Sequence, residues 1–178
     1  MWKLATAFAE VALRRRGPES LPDSTFLVVV LLMIDLGMSI LLLTLISSRA
    51  STELLLLVMD TALYLAFIYA VLTFFKLERR YRQTVTAMLG ADIWITSAYL
   101  MLAVVALGFG LELGTPPVGW LELALYFWLV YVSAWVLARS LSQTLIVGFM
   151  FEILYLYTWL SIRNVLVPPA VTLSSTST

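Results

Sequence analysis

Residues 26–47 read FLVVVLLMIDLGMSILLLTLIS, an unbroken apolar run with one charged side chain, Asp35. At 1.5 Å of rise per residue, a helix of this length crosses the ~30 Å hydrocarbon core of a bilayer. Comparable runs follow at 54–75 and 86–107, and a longer one extends from Trp120 to Ile162. Over all 178 residues the chain is 62% hydrophobic and 12% charged, whereas soluble domains are about half apolar and carry about 25% charge. Too few polar residues remain to cover a globule, so lipid must solvate the excess. The expected fold is all-α, a polytopic membrane bundle.

The final run cannot be one helix, because 43 residues would reach about 65 Å, twice the hydrocarbon thickness. Its polar patch is Arg139-Ser140-Leu141-Ser142-Gln143, so a turn is expected there although neither Gly nor Pro marks it. Five spans result, at 26–47, 54–75, 86–107, 120–137 and 144–162. Gly114-Thr115-Pro116-Pro117 breaks the chain between the third and fourth. Residues 163–178, ending SSTST, are expected to form a flexible tail.

The first 25 residues are expected to hold an interfacial amphipathic helix and a linker. In MWKLATAFAEVALRRR, Trp2, Leu4, Ala5, Phe8, Ala9, Val11 and Ala12 share one face, while Lys3, Thr6, Glu10 and Arg14 share the other. That period fits a helix lying in the membrane surface with Trp2 and Phe8 as anchors. The basic cluster follows the apolar stretch instead of preceding it, which a signal peptide does not do.

Charge sets the expected orientation. One side of the five-span scheme collects nine of the eleven basic residues: Lys3, Arg14, Arg15, Arg16, Lys76, Arg79, Arg80, Arg82 and Arg139. The other collects Arg49 and Arg163. The positive-inside rule then puts the N-terminus in the cytoplasm and the C-terminus outside, in a cell inner membrane. Trp120, Tyr155, Tyr157 and Trp159 are expected at the outer interface, with Trp2 and Trp135 at the inner one. Arg14, Arg15, Arg16, Lys76, Arg79, Arg80 and Arg82 serve as topological anchors or as contacts to anionic headgroups.

Four carboxylates fall inside the spans: Asp35, Asp60, Asp92 and Glu152. A charge at mid-bilayer costs roughly 2.5–3.5 kcal/mol on insertion scales, so each needs a partner, a neutral form or a wet cavity. Ser39 lies one turn from Asp35, and Tyr64 one turn from Asp60, so some satisfaction is expected locally. Counted from the span ends, Asp35 and Glu152 lie near the midplane, Asp92 nearer the cytoplasm and Asp60 nearer the outside. Glu122 falls at the outer edge of the fourth span. Three roles are open to the buried acids: interhelical hydrogen bonding, a proton or cation path, and pairing with a group on another subunit. Which of these holds depends on whether the acids face one another.

Much chemistry is excluded. The sequence has no His and no Cys, so serine-protease dyads, thiolate nucleophiles and the usual zinc and haem ligands are missing. No phosphate loop or dinucleotide fingerprint occurs. Acidic and basic residues cancel at eleven each, which gives no basic field for nucleic acid. No enzyme activity, metal or cofactor is expected.

Two stretches carry a family resemblance. Arg15-Arg16-Gly17-Pro18-Glu19-Ser20-Leu21-Pro22-Asp23-Ser24 precedes the first span, and Arg82-Gln83-Thr84-Val85-Thr86-Ala87-Met88-Leu89-Gly90 leads into the third. With the five-span layout, they resemble small uncharacterised bacterial inner-membrane proteins of Yip1-like arrangement. The resemblance implies a non-enzymatic membrane factor, since eukaryotic Yip1-like proteins act as trafficking adaptors. Their long N-terminal region has no counterpart in these residues. The leading expectation is an accessory subunit or adaptor that packs against lipid and other membrane proteins. The alternative is a small proton- or ion-coupled carrier or channel subunit, with Asp35 and Glu152 binding the proton.

Overall fold

The computed structural model describes residues 2–15, 17–46 and 50–167. It has six α-helices: α1 Trp2–Ala12, α2 Thr25–Ile46, α3 Ala50–Phe74, α4 Tyr81–Gly108, α5 Val118–Ser140 and α6 Leu145–Leu166. Helix accounts for 84% of the structure, with no strand among the described residues. Helices α2 to α6 are each long and apolar enough to cross a membrane. Arg16, Arg49, the 47–49 connector, residues 168–178 and the side chains of Trp2 and Lys3 lie outside the described residues.

Several boundaries differ from the sequence reading. The third span starts at Tyr81 instead of Thr86, and the last helix continues through Arg163 to Leu166 instead of ending at Ile162. The break near Arg139 is present, between Ser140 and Leu145. Its mechanism explains why no glycine marks it. Ser142 takes a left-handed backbone (φ 56°), its N–H bonds Arg139 O at 3.1 Å, and Gln143 N–H bonds Ala138 O at 2.9 Å. This is a Schellman cap with serine at the usual glycine position. Lys76 (φ 57°) ends α3 the same way, and Arg14 (φ 57°) ends α1.

Helix α4 is central, packing on α1, α2 and α5, and α6 lies along α5. Helix α3 closes the ring through shorter contacts with α2, α4 and α6. The α5–α6 seam is tight, because a Cβ on Gly148 would lie 2.0 Å from Ala134 O and 3.0 Å from Ala138 Cβ. Small residues at such a seam let membrane helices approach closely enough for dispersion to hold them. The densest core lies at the end of the bundle that carries α1, where Val11, Leu72, Val85, Val136 and Leu137 are completely buried. The outer faces are apolar: Met33, Met101, Ile146 and Met150 are each 65–72% exposed. This is the inside-and-outside-apolar pattern that lipid permits.

Helix α1 departs from expectation. Phe8, read as a lipid anchor, is buried with Ala7, Val11 and Ala12 against the bundle. Gly90 of α4 leaves the notch: a Cβ there would lie 2.2 Å from the Phe8 ring. Trp128 Nε1 donates to Ala12 O at 3.2 Å. Arg14 donates to the Tyr131 hydroxyl, its guanidinium 4.4 Å from the ring centroid. Ala7, Phe8, Val11 and Ala12 of α1 are therefore covered by protein.

Candidate functional site

The four buried acids come from four helices and line one cavity of about 420 Å³. Asp35 enters from α2, Asp60 from α3, Asp92 from α4 and Glu152 from α6. Helix α5 contributes Tyr126 and Ser133. Ile68, Val85 and Met88, part of the apolar core, also line the cavity. From Glu152 it extends along α6 to Trp159 and Arg163, a rise of about 16 Å.

Two acids have hydroxyl donors across the α3–α6 boundary. Tyr64 donates to Glu152 Oε1 at 2.9 Å, and Tyr155 donates to Asp60 Oδ1. The Tyr64 and Tyr155 rings lie 4.7 Å apart. The local expectation for Tyr64 fails, because its hydroxyl reaches Glu152 on another helix instead of Asp60 one turn away. Tyr155 and Trp159, expected in an outer aromatic belt, line the cavity, and Tyr155 is buried. Trp120 and Tyr157 do face outward.

The other two acids lie together. Asp35 of α2 and Asp92 of α4 both line the cavity, and these two helices pack on each other. Counted from the helix starts the two lie nearly level, Asp35 ten residues beyond Thr25 and Asp92 eleven beyond Tyr81. Thr96 donates to Asp92 Oδ1 at 3.2 Å. Asp35 is 6% exposed, and its Oδ1 is buried without a hydrogen-bond partner among the described residues. No Lys or Arg forms an ion pair with any of the four acids among the described residues. Arg163 lines the far end of the cavity. No three acids group closely enough to hold a metal ion among the described residues.

Glu122 lies outside this constellation. It accepts from Tyr99 at 3.2 Å and from Gly114 N–H at 3.0 Å, which fastens the α4–α5 loop to α4. Beside it runs a groove of about 680 Å³ that shares Thr96, Tyr126 and Leu129 with the acidic cavity.

Among the described residues, the basic side chains other than Arg163 lie at the α1 end, and four of them bind protein, Arg14 among them. Arg80 donates to Ser140 O and Ser142 Oγ, each at 2.8 Å, and so holds the α5–α6 turn. Arg82 pairs with Asp23 at 2.9 Å, and Arg139 with Glu19 at 2.8 Å. Arg15, Lys76 and Arg79 are exposed.

The missed cavity residues left a signal. Glu152, Tyr155, Trp159 and Arg163 follow at steps of three or four, as do Asp60 and Tyr64, and Asp92 and Thr96. Such spacing puts each set on one helix face. No protein family, curated protein or solved structure matches the chain.

Proposed function

We propose that the chain is a small proton-coupled membrane carrier that loads and unloads protons at the central acidic cavity. One observation carries this: four carboxyls from four helices line one cavity with no ion pair among the described residues, and a buried oxygen of Asp35 meets no donor there. Carboxylates gathered in one buried cavity without a paired cation need protons or a bound cation, and an unpartnered buried acceptor is costly. Hydrogen-bond glue accounts for Asp60 and Glu152, each of which has a tyrosine donor, but leaves Asp35 unexplained. Supporting a carrier further, apolar packing closes the α1 end, while the cavity runs toward Arg163 near the other. Exposed apolar faces suit lipid as well as a partner, so nothing specific favours the accessory-subunit reading.

By the positive-inside rule, the α1 end lies in the cytoplasm of a cell with the protein in its inner membrane. Helix α1 then lies along the cytoplasmic face of the bundle.

The test is proton entry into proteoliposomes under a potassium diffusion potential, read by a trapped pH dye. Wild-type protein is expected to admit protons. Asp35→Asn and Glu152→Gln are expected to insert normally and to lose most of that flux. No flux through wild type, or flux through both variants equal to that of wild type, refutes the carrier.

A further inference from the structure

Resting on the proton-carrier reading, we propose that the same cavity binds an organic ammonium cation, whose arrival displaces a proton held at Asp35. Its charge selects a cation: four carboxyls face one basic group, Arg163. Its walls select an organic one. Tyr64, Tyr126, Tyr155 and Trp159 line it, and aromatic faces attract ammonium groups by cation–π interaction. A bare divalent ion is a poor fit, because no three acids converge among the described residues. The volume of about 420 Å³ lies in the range that encloses small organic ligands.

Asp35 is the counter-ion because it alone of the four accepts no hydroxyl donor. Asp92 has Thr96, Asp60 has Tyr155 and Glu152 has Tyr64. Its Oδ1 is buried and unpartnered on the cavity wall. The exchange forms no covalent bond. The Asp35 carboxylic O–H breaks, the proton leaves to water, and the carboxylate pairs with the ammonium nitrogen. The neighbouring groove provides a side entrance from lipid, since Thr96, Tyr126 and Leu129 line both spaces and Tyr126 is half exposed. Such a route suits a cation with enough apolar surface to dissolve in the bilayer interface.

Benzyltrimethylammonium tests this, because it carries a fixed charge and no ionisable proton. Its neutral carbon isostere, neopentylbenzene, has the same shape. The full chain, in mild detergent and weak buffer, is titrated with each while heat and released protons are recorded. Saturable binding of the cation with release of about one proton each is expected, with no competition from the isostere. Asp35→Asn is expected to weaken binding about tenfold or more and to abolish proton release, as loss of a desolvated charge partner does. Trp159→Leu is expected to weaken it several-fold.

Equal affinity for cation and isostere overturns the proposal using wild-type protein alone, whether or not the variants fold. Unchanged affinity in Asp35→Asn also overturns it. If wild type admits protons yet shows no saturable cation binding, the ligand class is wrong while the carrier stands. If it does neither, both readings fall.

Discussion

Gly148→Ala and Gly37→Ala make the same chemical change in two membrane helices, yet the structure predicts opposite outcomes. At Gly148 the new methyl would lie 2.0 Å from Ala134 O, where 3.4 Å begins ordinary contact. Helix α6 must therefore move off α5 by roughly 1 Å or more, and the obstacle is backbone, which cannot rotate away. A gap of 0.5–1 Å forfeits a quarter to a half of each dispersion well. If the seam holds about 40 atom pairs at ~0.15 kcal/mol, some 6 kcal/mol in all, the loss is about 1.5–3 kcal/mol. Replacing glycine in a helix returns about 0.5–1 kcal/mol. The net destabilisation is about 1–2 kcal/mol, or roughly 5–30-fold in the unfolding equilibrium, within the range for overpacking. At Gly37 nothing lies within 4 Å, so only the helix-propensity gain remains and stability should rise by up to about 1 kcal/mol. Reversible unfolding in mixed detergent–dodecylsulfate micelles, followed by tryptophan fluorescence, measures both. Gly148→Ala matching or exceeding wild type would refute the close α5–α6 approach, as would an equal loss at Gly37.

Three further outcomes follow from particular contacts. Phe8→Ala should cost about 3 kcal/mol, as emptying a buried aromatic site does, and should expose the 2–15 segment to added protease. Tyr155→Phe removes one interhelical donor and should lower stability by about 0.5–1.5 kcal/mol in the same micelle titration, because the ring still packs against Tyr64. Reporters fused before Met1 and after Thr178 should read from opposite compartments, with the first cytoplasmic. A shared compartment would contradict an odd number of crossings.

Residues 26–47 and their counterparts marked out, without any coordinates, the five helices long and apolar enough to cross a membrane. Twenty apolar positions in succession have one favourable solvent, and that depends on composition and length, both of which are local. The break at Leu141–Thr144 was legible from its polar patch, whereas the helix ends were not. Their caps put Arg14, Lys76 and Ser142 where glycine is the usual signal. The position of α1 was also hidden, since Phe8 chooses between lipid and a notch created by the missing side chain of Gly90, 82 residues away.

The acids show the same division. Their presence in the spans, and the cost of placing them there, could be read directly from Asp35, Asp60, Asp92 and Glu152. Their stripes with Tyr64, Thr96, Tyr155 and Trp159 were present as three- and four-residue spacings. What those spacings leave free is the rotation of each helix about its own axis, and whether four stripes meet or face apart depends on four such rotations. Packing fixes them: α2 against α4, and α6 against α5 through Gly148. Only the assembled bundle therefore decides that the four carboxyls share a cavity and that Asp35 is left without a donor.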